Sequence, residues 1–231
     1  MFIGFYSLAN SITLFGLALS LTSCFLAAGG NFKFAVYLMF LACICDMCDG
    51  TIARNSKERT KPESFYGIQL DSLCDIVSFG VTPCFVAYSF GFKGVLDVII
   101  YLIFVICGVT RLAYFNTLAN FKPQNGKKTF KGVPIPMSVF VVTFLFMLTT
   151  FIPASVCVWL FRLGYLAVAI SFVLNVTVNK PDKKKALILI AIEIIMLLVL
   201  VIAPACKTPE NAVVTDAETE VSETVSDGES E

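Results

Sequence analysis

Seven apolar runs, near residues 8–28, 34–53, 68–90, 95–117, 134–152, 155–177 and 186–203, dominate this chain of 231 residues. Each approaches the roughly 20 residues that a helix needs to cross a bilayer. Backbone inside hydrocarbon must satisfy its own hydrogen bonds. The expected fold is therefore all-α, a polytopic transmembrane helical bundle of about six to eight spans. No internal repeat or soluble domain is visible. The opening stretch, MFIGFYSLANSITLFGLALSL, lacks a basic n-region and an obvious small-residue cleavage site, so it reads as a first retained span rather than a signal peptide. Nine cysteines fall almost wholly inside the apolar runs and read as small buried hydrophobes, not as a disulfide framework.

Charge orients the spans. Between runs two and three lie Arg54, Lys57, Arg59 and Lys61; between four and five, Lys122, Lys127, Lys128 and Lys131; between six and seven, Lys180, Lys183, Lys184 and Lys185. The opposite loops hold only Lys33 and Lys93. This bias places the basic loops in the cytoplasm of a multi-pass cell-membrane protein, and an odd span count sends the C-terminus outside. From Glu210 onward the chain has eight acidic residues and no basic one, the composition of a solvated tail. The expected organisation is a membrane-embedded catalytic domain over 1–206 and a disordered acidic tail over 207–231. No nucleic-acid partner is expected.

The net charge of zero hides four carboxylates at the cytoplasmic ends of runs two and three. Insertion scales charge roughly 2.5–3.5 kcal/mol for each ionised group at bilayer depth. Asp46 and Asp49 are spaced i, i+3, and Asp71 and Asp75 i, i+4, so each pair shares a helix face. A loop of about a dozen residues lets the two helices pack antiparallel and bring the pairs together. Four carboxylates at one place repel unless cations compensate them. With no His in the chain, oxygen ligands point to Mg²⁺ or Mn²⁺. Two such ions would suit phosphoryl displacement. Gly50 and Gly67 remove side chains where a phosphate or ribose could approach, Ala53 is small, and Arg54 offers a fork for phosphate oxygens. Cys45-Asp46-Met47-Cys48 lacks a second cysteine pair and carries no zinc assignment. Arg162, inside run six, reads as a snorkelling side chain or the partner of a lipid phosphate.

The order Asp46-x2-Asp49-Gly50-x2-Ala53-Arg54, followed by Gly67-x3-Asp71-x3-Asp75, resembles the signature of the CDP-alcohol phosphatidyltransferases, with all eight specified positions matching. The gap between Arg54 and Gly67 is longer than in many members. The resemblance implies the CDP-alcohol phosphotransferase fold. It also implies that Asp46, Asp49, Asp71 and Asp75 ligate two metal ions and that Asp75 is the base for the attacking hydroxyl. Gly50, Ala53, Arg54 and Gly67 would meet CDP-diacylglycerol. Asn10 and Thr13 look similar to an Asn-x-x-Thr that members carry at the first span, and Thr60 has the spacing of another family contact. The resemblance leaves room for a homodimer.

Three further stretches bear on the acceptor alcohol. QLDSLCDIVSFGVTP (69–83), TRLAYFNT (110–117) and FKGVPIPMS (130–138) are similar to blocks of the phosphatidylserine synthases within that family. Serine is a small zwitterion, for which Arg111 could supply a bidentate carboxylate contact, with Asn116 and Ser78 adding hydrogen bonds. Tyr114 stands where members often have a second Arg. The expected activity is transfer of a phosphatidyl group from CDP-diacylglycerol to L-serine, giving phosphatidylserine and CMP amid membrane lipids. Glycerol 3-phosphate or inositol phosphate as acceptor, and more remotely a divalent-cation transporter, are the alternatives.

Overall fold

A computed structural model describes residues 3–56, 60–121, 130–131, 134–174, 177–178 and 183–202. Helices run over Leu8–Ala28 (α1), Phe32–Asn55 (α2), Lys61–Asp75 (α3), Thr82–Phe90 (α4), Val95–Phe121 (α5), Met137–Leu148 (α6), Ala154–Val173 (α7) and Lys183–Ile202 (α8). A π-helical turn, Ile76–Val81, joins α3 to α4. Two strands of two residues, Phe130–Lys131 (β1) and Thr177–Val178 (β2), pair antiparallel with Phe130 opposite Val178. Each apolar run thus contains a helix. Five stretches are long and apolar enough to cross a membrane, Leu8–Ala28, Phe32–Asn55, Lys61–Phe90, Val95–Leu118 and Ser155–Val173, while Met137–Leu148 and Ile188–Ile202 are shorter. Leu14, Phe15, Phe25, Leu102, Ile106 and Trp159 are exposed on the outer faces, as a multi-pass membrane protein requires. The expected acidic tail and several of the basic loop residues, Lys57, Arg59, Lys122, Lys127, Lys128 and Lys180 among them, lie outside the described residues.

Local sequence explains the hairpin of α1 and α2. The Ser7 hydroxyl caps α1 by accepting from the Asn10 N–H at 3.2 Å. Gly30, at φ +79°, supplies the left-handed step that reverses the chain, and the Asn31 N–H donates back to the Leu26 carbonyl at 2.8 Å. Along the seam α1 buries Ala9, Gly16, Ser20, Ser23 and Ala27. Small residues let two backbones approach closely in a membrane. A Cβ on Gly16 would sit 3.1 Å from the Cys45 Cβ, and Ser23 donates to the Ala35 carbonyl at 2.8 Å.

Helix α3 begins earlier than the apolar run. Thr60 and Glu63 form a reciprocal capping box, with Pro62 in the first turn. What reads as a dozen-residue loop therefore contracts to residues 56–60, because polar turns of α3 extend the helix below the hydrophobic stretch. The eight described cysteines are all free, with Cys43, Cys74, Cys84 and Cys157 buried and Cys48 exposed.

An aromatic cluster forms where α4, α5, α6 and α7 meet. Phe90 meets Phe146 edge-on at 5.1 Å, Phe146 meets Phe161 at 5.3 Å, and Phe161 packs on Phe92 at 4.2 Å. Phe104 continues the cluster to Tyr165 and Phe172. Beside it Arg162 pairs with Asp97, Nε to Oδ1 at 2.6 Å, correcting the expectation of a snorkelling arginine. The Gly94 N–H adds a second donor to Asp97 at 3.0 Å. Asp97 is 6% exposed at its side chain and Arg162 21%. Burial decides which loss costs more. Arg162→Met strands a carboxylate in the core and should lower stability by about 3 kcal/mol. Asp97→Asn, which frees a guanidinium that can still reach the surface, should cost less; thermal midpoints in detergent would show the order.

Candidate active site

Helix α2 carries Asp46 and Asp49 on its last turns, and α3 carries Asp71 and Asp75 on its own. Helix α1 packs against both. Carboxylate oxygens of Asp46, Asp49 and Asp71 lie within 4.8 Å of one another. Asp75 is not part of this trio but borders a small cavity together with Asp46 and Asp49. Asp49 is only 3% exposed, and the Thr13 hydroxyl lies against its Oδ2 and against the Ala9 carbonyl at 3.1 Å. The close α1–α2 seam at Gly16 is what brings Thr13 that near.

A cleft of about 280 Å³ opens beside the trio. Asn10, Thr13, Gly50, Ala53, Arg54 and Gly67 wall it, and Asp49 and Asp71 form one side. Helices α1, α2 and α3 thus each give a wall. Asn10 is oriented by donating from Nδ2 to the Phe5 carbonyl at 2.7 Å. Arg54 is steadied by the Thr51 hydroxyl at 3.1 Å, and a Cβ on Gly50 would lie 3.5 Å from its guanidinium. Thr60 does not wall this cleft: its hydroxyl accepts from the Glu63 N–H at 3.4 Å, as the cap of α3. A much smaller cavity, near 10 Å³, adjoins the cleft and is bordered by Thr13, Asp46, Asp49, Asp75 and Ser78.

The residues expected to meet the acceptor approach from α5 and the π-turn. The Arg111 guanidinium faces Asp75 and Asp46 and lies 5.3 Å from the centre of the Phe115 ring. Its Nε is buried without a hydrogen-bond partner among the described residues. Asn116 donates to the Ser72 hydroxyl at 2.8 Å, tying α5 to α3 between Asp71 and Asp75. Ser78 is buried on the small cavity. Sequence reasoning did not single out Ser64, Ile68 or Ser72. Ser64, Gly67, Ile68 and Asp71 share one helical face at i, i+3, i+4 and i+7, so the earlier start of α3 would have revealed Ser64. All donors at the trio are carboxylate oxygens, a set that fits a hard divalent cation.

These same helices fall within a match to a family model, CDP-alcohol phosphatidyltransferase, that covers residues 6–215. The chain belongs to that family. It is similar to a CDP-diacylglycerol–serine O-phosphatidyltransferase of Helicobacter pylori, 34% identical over 139 residues, which is 59% of this chain and 56% of that protein. An archaetidylserine synthase of Methanothermobacter thermautotrophicus is 31% identical over 140 residues, 60% of this chain and 57% of that protein. A CDP-diacylglycerol–serine O-phosphatidyltransferase of Saccharomyces cerevisiae is 39% identical over 112 residues, covering 47% and 39% respectively. The chain spans about half the length of the curated relatives it matches. CDP-alcohol phosphatidyltransferases use divalent metals in general, and the acidic trio is where this member could hold them.

Crowded carboxylates make the site a source of instability when no cation is bound. In chelator, Asp46→Asn should therefore raise the thermal midpoint. The same substitution should remove most of the rise that Mg²⁺ or Mn²⁺ gives the unaltered protein, as differential scanning fluorimetry in detergent would register.

Proposed function

We propose that this chain transfers a phosphatidyl group from CDP-diacylglycerol to L-serine, releasing CMP and leaving phosphatidylserine in the membrane. One observation carries the reading: a cleft walled by the family's nucleotide-contact positions ends on Asp49 and Asp71 of the acidic trio, with the half-buried Arg111 near Asp46 and Asp75. The names that the relatives carry support serine as acceptor.

In this scheme Gly50 and Ala53 leave room for the cytidine diphosphate, and Arg54 offers its fork to a phosphate oxygen. Asn10, Thr13 and Gly67 complete the walls, and Thr60 acts indirectly by capping α3. Two divalent ions, Mg²⁺ or Mn²⁺, held by Asp46, Asp49, Asp71 and Asp75, would supply charge neutralisation at the diphosphate and at the departing CMP oxygen. Asp75 takes the proton of the serine hydroxyl as that oxygen bonds to the lipid-bearing phosphorus and the bond from phosphorus to the bridging oxygen breaks. CMP leaves with that oxygen. Arg111 pairs with the serine carboxylate, and its unpartnered Nε gives it a free donor for the purpose. Ser78 and Asn116 add hydrogen bonds around the amino acid. The cytoplasmic side, the cell membrane and a homodimeric state belong to this proposal, as does a catalytic domain of residues 1–206 to which the acidic tail adds no chemistry.

Labelled CDP-diacylglycerol offered to the purified protein with serine, glycerol 3-phosphate or inositol phosphate in turn tests the acceptor. Serine-dependent CMP release is expected; release with only another alcohol would reassign the acceptor, and divalent ion flux without CMP would point to transport. Asp75→Asn should slow turnover by about 10²-fold or more, the usual worth of a positioned base. Arg111→Ala should raise the serine KM on the order of tenfold, as loss of a charge-assisted hydrogen bond predicts. Truncation after residue 206 should leave turnover unchanged.

A further inference from the structure

The π-turn between α3 and α4 originates in the covalent chemistry of one residue. In an unbroken α-helix over residues 61–90, the N–H of residue 83 would donate to the carbonyl of residue 79. Residue 83 is Pro83, which has no N–H and whose ring crowds that carbonyl. The turn widens instead, so that the Thr82 N–H donates to the Val77 carbonyl, five residues back. Phe79, 1% exposed, has no i+4 donor for its carbonyl, because residue 83 carries no N–H. The Ser138 hydroxyl fills the gap. Ser138 is fully buried at the start of α6, and its Oγ donates to the Phe79 carbonyl at 2.9 Å.

The placement of this turn gives it consequences. It begins one residue after Asp75 and contains Ser78, and both line the small cavity next to the trio. Inserting one residue into a helix rotates the turns before it by about 100° relative to the turns after it. The turn therefore sets the phase of the carboxylate-bearing half of the rod against α4, which is fixed by the Tyr165 hydroxyl donating to the Pro83 carbonyl at 2.7 Å. Ile76 reaches from the turn towards α5. Its Cδ1 lies 3.1 Å from where a Cβ on Gly108 would be and 2.7 Å from one on Gly80. Gly108 is three residues before Arg111. The turn thus also sets how near the arginine-bearing helix comes.

We propose that Ser138 is a positioning residue for the transfer reaction: by satisfying the carbonyl that Pro83 orphans, it holds the π-turn that aims Asp75 and Ser78 at the substrate. This rests on the reaction proposed above, but the pairing itself can be measured without it. If Ser138 stands in for a missing N–H, restoring the N–H should make it redundant. Ser138→Ala should lower the thermal midpoint in the native background and scarcely change it alongside Pro83→Ala. For catalysis, Pro83→Ala allows an ordinary α-helical register, so it should keep or raise the midpoint while lowering kcat on the order of tenfold or more, with each KM within about twofold, since small misplacements of reacting groups are costly. Ser138→Ala should act in the same direction and Ser138→Thr should restore kcat. Equal losses of midpoint from Ser138→Ala in both backgrounds would overturn the pairing. Native kcat in Pro83→Ala would overturn the positioning role even if Ser138→Ala does not fold. No CMP release by the unaltered protein with any alcohol would sink the reaction and the positioning role together, while the thermal comparison would still decide the pairing.

Discussion

Mutual repulsion among Asp46, Asp49 and Asp71 has to be opposed by everything around them. Two unit charges 4 Å apart interact by about 4 kcal/mol at the effective dielectric of a protein surface. Helix ends splayed apart would relieve that strain. Helix α1 packs against both α2 and α3, and the capping box at Thr60 fixes where α3 starts. Thr13 adds a donor to Asp49 from α1, and Arg111 faces Asp46 and Asp75 from α5. The protein thus holds its acids together with donors and cations from helices distant in sequence.

That arrangement depends on small side chains elsewhere. Were α1 and α2 separated by ordinary side chains at Gly16, Ser20 and Ser23, Thr13 would fall short of Asp49 and the cleft would lose one of its walls. On the other flank, Gly108 and Gly80 let Ile76 lodge between the π-turn and α5. The acid cluster is therefore the meeting point of two close helix approaches, each licensed by residues that contribute almost no contacts of their own.

Much of this was legible in the chain itself. The apolar runs foretold the helices because in hydrocarbon the backbone has few other solutions, and the spacing of the aspartates foretold shared faces because helical geometry is fixed. Thr60-Lys61-Pro62-Glu63 also spelled an early helix start, though the hydropathy of the run concealed it. Pro83 marked a disturbance without saying which: a kink, a break and a π-turn all begin with the same missing donor. The Arg162–Asp97 pair and the Asn116–Ser72 bond were not legible, because each joins residues 65 and 44 positions apart and depends on how helices pack.

Asp75 lies midway along the helical rod of residues 61–90 and Phe90 at its far end, about 22 Å away along the axis. At the first polar groups crowd against one another around open space; at the second, interlocked rings and an ion pair leave almost none. The ring cluster can therefore be repacked without touching a residue that walls the cleft.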